Sequence, residues 1–139
     1  MKKFFVDSSA FIALFNKREQ DHLEAVSLFN QLLAGGTLYT SDYVLDEVVT
    51  FCQARYGHKQ ACSAATAILK SDFIQLIPLD RKGVEKTYER FLKTSVPGVS
   101  FTDVSSVVLM DAFQMDAVFT FDSHFKKMGC RLCYEKNSL

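Results

Sequence analysis

The stretch Phe4-Phe5-Val6-Asp7-Ser8-Ser9-Ala10-Phe11-Ile12-Ala13-Leu14-Phe15 decides the fold. It opens with a short apolar run that halts at an aspartate. A strand buried on both faces reads as a continuous apolar run and not as an alternating one. Two serines follow, residue types that favour helix starts, and then apolar residues at helical spacing. The order is strand, acid, helix. In an open α/β sheet, ligands bind outside the carboxyl ends of the strands. Asp7 is expected at such an end, and the rest of the chain is read for other acids that reach the same place.

Working outward, Leu23, Val26, Leu28, Phe29, Leu32 and Leu33 predict a helix from Glu19 to Ala34. Asp21 and Glu24 read as a capping-box start and Gly35-Gly36 as its end. Thr37-Leu38-Tyr39-Thr40 reads as a second strand, and Ser41 opens a helix to Tyr56, closed by Gly57. Lys59 to Lys70 is a further helix and Ile74 to Leu79 a third strand. Arg81 to Lys93 is an amphipathic helix with Val84, Tyr88, Phe91 and Leu92 inward. Ser100-Phe101-Thr102-Asp103 starts a helix that leads into a buried strand, Ala117 to Phe121, ending at Asp122. A short helix from Ser123 to Met128 and a last strand from Cys130 to Tyr134 follow, and the tail from Glu135 is expected to fray. Strands alternating with helices predict an α/β, three-layer fold with a mainly parallel central sheet flanked by helices.

The chain of 139 residues has the length of one domain, residues 1–139, with a sizeable core. Thirteen Phe and 48% hydrophobic residues exclude a disordered chain. The formal net charge is zero, so bulk charge offers no support for a nucleic-acid partner, although local asymmetry outweighs the sum at a binding face. No apolar run reaches bilayer length, and Asp7 interrupts what would otherwise follow Lys2-Lys3 as a leader. The expectation is a soluble, cytoplasmic protein without a membrane partner. Cys130 and Cys133 have C-x-x-C spacing, but odd spacing on a strand sends the two thiols to opposite faces. They read as buried free thiols, and Cys52 and Cys62 as helical core residues.

Acids carry the functional reading. Asp7 and Asp122 each follow a buried strand. Asp103 lies in the first turn of the helix that precedes the Asp122 strand. Glu47 falls on an apolar stripe beside Tyr43, Val44 and Phe51, where a carboxylate is costly unless paired, whereas Asp46 lies on the polar stripe. In a parallel sheet all four sit on the carboxyl edge. Carboxylates that close repel unless a cation holds them, and oxygen ligands favour Mg²⁺ or Mn²⁺ over zinc. Such a site suits phosphodiester hydrolysis. Each acid also has a purely structural reading: Asp7, Asp103 and Asp122 as helix caps, Glu47 as the partner of an arginine. His22, His58 and His124 read as capping or surface residues. Asp111 reads as partly buried. Lys126 and Lys127 follow Asp122 closely enough to contact a nucleic-acid backbone.

The chain resembles the PIN-domain ribonucleases, specifically the VapC-like toxins of toxin–antitoxin pairs. The resemblance is carried by Phe5-Val6-Asp7-Ser8-Ser9-Ala10-Phe11, by Tyr43-Val44-Leu45-Asp46-Glu47-Val48-Val49-Thr50, by Ser100-Phe101-Thr102-Asp103 and by Thr120-Phe121-Asp122-Ser123-His124-Phe125. It implies a Mg²⁺- or Mn²⁺-dependent endoribonuclease acting on RNA, commonly a homodimer, with an antitoxin protein as partner. Asp7 and Asp103 would be the main metal ligands, and Glu47 and Asp122 would complete the site and orient water. Ser8 and Thr120 match positions whose hydroxyls bond a carboxylate or a bound water. Two other classes compete: a PIN-fold module that binds RNA or protein without cutting, and a metal-dependent phosphatase, which lacks the expected Asp-x-Asp because Ser9 follows Asp7-Ser8.

Overall fold

The Phe4–Val6 run is the buried centre of a parallel sheet in the computed structural model, which describes residues 1–134. The order of elements is β1 (Lys2–Val6), α1 (Ser8–Phe15), α2 (His22–Gly35), β2 (Gly36–Ser41), α3 (Asp42–Tyr56), α4 (His58–Leu69), β3 (Ile74–Ile77), α5 (Arg81–Lys93), α6 (Phe101–Ala112), β4 (Ala117–Phe119) and α7 (His124–Lys127). The four strands are ordered β3-β2-β1-β4, and every pairing is parallel. Parallel neighbours need long crossovers, which the helices supply. This is the α/β architecture with a parallel central sheet that the alternation predicts.

The strand order locates the binding edge. From β1 the chain builds outward through β2 and β3, then returns to lay β4 on the other side of β1. The sheet therefore reverses direction between β1 and β4, and the crevice outside the strand ends at such a reversal is where ligands bind in this class of fold. Val6 pairs with Phe119, and the Asp7 N–H donates to Phe119 O at 3.0 Å. That register sets Asp7 beside Thr120.

The core is aromatic. Phe5, Phe11, Phe119 and Phe125 are fully buried with Val6, Leu38 and Val118. Each such ring removed from water contributes about 1.5–3 kcal/mol.

Gly35-Gly36 ends α2 as expected; Gly36 is its C-cap and also the first residue of β2, where a Cβ would lie 2.3 Å from Lys2 O and 2.9 Å from Phe4 Cε2. Several other expectations change. Asp21 and Glu24 do not form a capping box, and Leu23 of α2 is 82% exposed because the helix buries Ala25 and Leu28 instead. In α5 the buried residue is Thr87, while Tyr88 and Leu92 are 56% and 66% exposed. Asp111 is exposed and pairs with Arg90 at 2.6 Å. The expected last strand is reduced to a single parallel bridge, Val118 to Leu132. Cys52 is buried, but Cys62 is exposed on α4, with Sγ 3.4 Å from His58 Nε2. Cys130 and Cys133 are partly buried free thiols, and burial pushes the Cys133 thiol up to about 12. The expected fraying from Glu135 onward lies outside the described residues. No described helix is long and apolar enough to cross a membrane.

Candidate active site

Asp7 ends β1 and caps α1, since its Oδ2 accepts from Ser9 N at 3.4 Å. Its carboxylate is 1% exposed. Oδ2 also receives the hydroxyls of Thr120 at 2.9 Å and Ser9 at 3.0 Å. Thr120 Oγ1 in turn accepts from Asp122 N at 3.0 Å, and Ser9 Oγ accepts from Phe121 N at 2.9 Å. Two hydroxyls thus lace the end of β1 to the segment after β4.

Glu47 enters from the second turn of α3, which Ser41 caps by accepting from Val44 N at 3.1 Å. No arginine pairs with it among the described residues; the Ser8 hydroxyl donates to its Oε1. Asp103 enters from the first turn of α6 and is buried. It is held by a reciprocal capping box: Ser100 Oγ accepts from Asp103 N at 2.9 Å, and Asp103 Oδ2 accepts from Ser100 N at 3.0 Å. Asp122 lies just before Ser123, the N-cap of α7, and its Oδ1 accepts from His124 N at 2.9 Å. The structural readings of the acids as caps are therefore correct for Asp7 and Asp103 but not for Asp122, since Ser123 is the N-cap of α7; for the first two, capping coincides with convergence. A cap fixes the side chain's direction, so the same hydrogen bond that starts the helix aims the carboxylate.

The four acids meet in two overlapping groups. Ligand atoms of Asp7, Glu47 and Asp103 lie within 4.8 Å of one another, and so do those of Asp103, Asp122 and His124. Asp103 belongs to both. His124 is a residue that the sequence reading assigns to capping or surface, and Ser9 is another that it leaves out of the site. The sequence signal for His124 is its place two residues after Asp122; for Ser9 it is its place two residues after Asp7.

Electrostatics follow from the crowding. Burial pushes the Asp7 carboxyl from 3.8 up to about 7, partly opposed by the Thr120 hydrogen bond and reinforced by Asp103. Burial also raises Glu47, against the Ser8 hydrogen bond, with Asp103 and Asp122 adding to the rise. Asp103 is raised by burial and by Asp122, against hydrogen bonds from Ser100. Burial and mutual repulsion favour the protonated forms of these carboxyls. A cation offers the same relief, so the oxygen-rich donor set fits a divalent metal. Beside the acids lies a cleft of about 220 Å³ lined by Thr120, Asp122, Ser123 and Lys126. The larger cleft between α5 and α6, about 510 Å³, holds none of the four acids.

Residues 4–129 match the model of the PIN domain family. The chain belongs to that family. Among relatives of this PIN domain is the 23S rRNA-specific endonuclease VapC20 of Mycobacterium tuberculosis, 29% identical over 125 residues, or 90% of this chain and 93% of that protein. The crystal structure of that protein, described as a sarcin-ricin loop cleaving toxin, superposes with a TM-score of 0.85 at 27% identity, covering 91% of this chain and 95% of that one. VapBC2 of Rickettsia felis, solved bound to a promoter DNA fragment, shares the fold with a TM-score of 0.69 at 14% identity, covering 94% and 96%. A toxin–antitoxin complex from Klebsiella pneumoniae shares it with a TM-score of 0.66 at 14% identity, covering 95% and 98%. In this PIN domain the motifs that carry the resemblance contain the residues that converge. Ser8 bonds Glu47 and Thr120 bonds Asp7, while Lys126 and Lys127 are exposed on α7.

Proposed function

We propose that this chain is a Mg²⁺- or Mn²⁺-dependent endoribonuclease of the VapC type, hydrolysing RNA phosphodiester bonds at Asp7, Glu47, Asp103 and Asp122. The observation that carries the reading is the convergence of these acids at the β1–β4 reversal, with burial raising three of them. A buried acid cluster held in place by caps and hydroxyls is poorly explained as a stabilising feature, because like charges at this spacing oppose folding.

Asp7 and Asp103 would be the main cation ligands, completed by Glu47 and Asp122. When bound, the cation polarises a phosphoryl oxygen and lowers the pKa of a water. The chain's own part is orientation. Thr120 and Ser9 fix the Asp7 carboxylate, and Ser100 fixes Asp103. The Ser8 hydroxyl occupies Glu47 Oε1, leaving Oε2 to accept a proton from the attacking water. Asp122, held by the α7 amide, orients that water from the other side. Lys126 and Lys127 contact the RNA backbone and contribute position, not sequence choice.

The partner reading is a toxin restrained by an antitoxin protein, with a second copy of the chain as a homodimer. Exposed apolar residues on α2 (Leu23, Val26) and on α5 (Tyr88, Phe91, Leu92) support protein partners. The first RNA to offer is a ribosomal RNA fragment containing the sarcin-ricin loop, the loop named for the relative. Cleavage that appears with Mg²⁺ or Mn²⁺ and stops with chelator is the expected result; cleavage indifferent to chelator, from protein free of contaminating nuclease, rejects the metal mechanism.

A further inference from the structure

We propose that His124 is a direct cation ligand beside Asp103 and Asp122, giving the Asp122 side of the site a mixed nitrogen–oxygen character that favours Mn²⁺ over Mg²⁺. The inference rests on reading the acids as a cation site and adds a residue to it.

The imidazole is placed as a ligand and not as a cap. Its ring atoms share with Asp103 and Asp122 a group whose ligand atoms all lie within 4.8 Å. The hydrogen bond to Asp122 at this point is made by the main chain: His124 N–H already donates to Asp122 Oδ1 at 2.9 Å. Nδ1 lies only 2.8 Å from the same oxygen. Yet this buried nitrogen has no partner in hydrogen-bonding geometry among the described residues. A protonated ring would make this contact an ion pair; a neutral ring leaves Nδ1 and Oδ1 as two donor atoms at contact distance that one cation can hold together. Neighbouring ligands about 2.1 Å from an octahedral ion stand about 3 Å apart, so the observed separation suits adjacent positions on one cation.

The other side of the ring supports the same orientation. Gly98, with φ +80, faces Nε2, and a Cβ built there would lie 3.2 Å from it. Glycine at this turn leaves room for the ring while Nδ1 points to the acids. The remaining histidines are engaged away from the site. His22 Nδ1 lies 2.8 Å from Ala13 O, and His58 lies between Gln53 and Cys62.

Chemistry then sets the preference. Carboxylate and water donors suit Mg²⁺ and Mn²⁺ alike, but imidazole suits transition metals, and Mg²⁺ gives up its waters reluctantly. One nitrogen donor therefore separates two ions that an all-carboxylate site would treat similarly.

The test loads the full chain with Mn²⁺ and reads its pulsed electron paramagnetic resonance, with calorimetric Mn²⁺ and Mg²⁺ affinities alongside, for wild type, His124→Ala and His124→Gln. The expected result is nitrogen coupling on the Mn²⁺ signal of wild type that vanishes in both variants, with Mn²⁺ affinity falling about 10–100-fold and Mg²⁺ affinity falling less. Wild-type Mn²⁺ without nitrogen coupling overturns the proposal, and so does an equal loss of both ions in the variants. If such oxygen-only protein still cleaves RNA with metal, the ribonuclease reading stands alone. If wild type binds no Mn²⁺, both readings fall.

Discussion

The Thr120 hydroxyl donates to Asp7 Oδ2 at 2.9 Å across 113 residues of sequence, and the same oxygen of Thr120 accepts the Asp122 amide at 3.0 Å. One hydroxyl thus orients one proposed ligand and anchors the backbone of another. Thr120→Val removes the donor and the acceptor while keeping the shape. It is expected to cost about 1–3 kcal/mol of stability, the penalty for a buried polar group left unmatched. Metal affinity or activity should fall about 10–100-fold. Chemical denaturation read beside RNA cleavage checks both; unchanged cleavage would remove Thr120 from the site.

The position of Asp7 fixes a pH dependence. Its carboxyl is raised from 3.8 to about 7 in the fold, chiefly by burial, so between those values the folded state binds more protons than the unfolded one. Stability without metal is then fully present below the unfolded value and declines as pH rises toward 7. The loss is on the order of 4 kcal/mol if Asp7 acts alone. Raised Glu47 and Asp103 act in the same direction. Metal-free melts from pH 4 to pH 8 should show this decline, and Asp7→Asn should flatten it. A rise in wild-type stability over that range would contradict the electrostatic account.

Added cation should reverse that loss, since a ligand of the folded state alone stabilises by mass action, about 2.7 kcal/mol at one hundred times its dissociation constant. The effect should weaken as pH falls below 7, where protons compete for Asp7. Thermal shift with Mn²⁺ at pH 8 and at pH 5.5 reads this directly, and an equal shift at both pH values would argue for binding elsewhere.

The buried Ser8 hydroxyl donates to Glu47 Oε1 and, at 3.5 Å, reaches Asp7 Oδ1, both of them site carboxylates. Ser8→Ala should leave the melting temperature within a few degrees and lower kcat about 10–100-fold, because Glu47 loses its orienting donor. An increase in KM with kcat unchanged would place Ser8 in substrate binding instead.

Gly36 tests the sheet. A Cβ there meets Lys2 O at 2.3 Å, backbone that cannot rotate away. Gly36→Ala should destabilise by about 1–3 kcal/mol through overpacking, measured by denaturant midpoint. Neutral behaviour would mean that β1 and β2 are not registered with Lys2 opposite Gly36.

What the sequence made legible follows from physics that is local or periodic. The Phe4–Val6 run declares a doubly buried strand, and an acid at the end of such a run is placed by the fold class alone. Glu47 stands out because a carboxylate on an apolar stripe needs a reason. His124 did not stand out, since a histidine near a short helix start has an ordinary explanation, and its approach to Asp103 depends on where α6 crosses the sheet. Ser9 was hidden for a similar reason: after Asp7 it looks like a helix starter, and its contact with the Phe121 amide spans the sheet. On α5, periodicity marked the stripe of Tyr88, Phe91 and Leu92 but not whether anything in this chain covers it. The Cys130–Tyr134 run has strand-like residues, yet an edge segment needs a partner along its length, and only Leu132 bridges to Val118.

The most direct measurement compares wild type and Asp7→Asn on the same RNA, with Mn²⁺ and with chelator. The account predicts metal-dependent cleavage by wild type and none by Asp7→Asn, although the variant melts at the same temperature or higher. Metal-dependent cleavage retained by clean Asp7→Asn protein would contradict the assignment of these acids as the catalytic site.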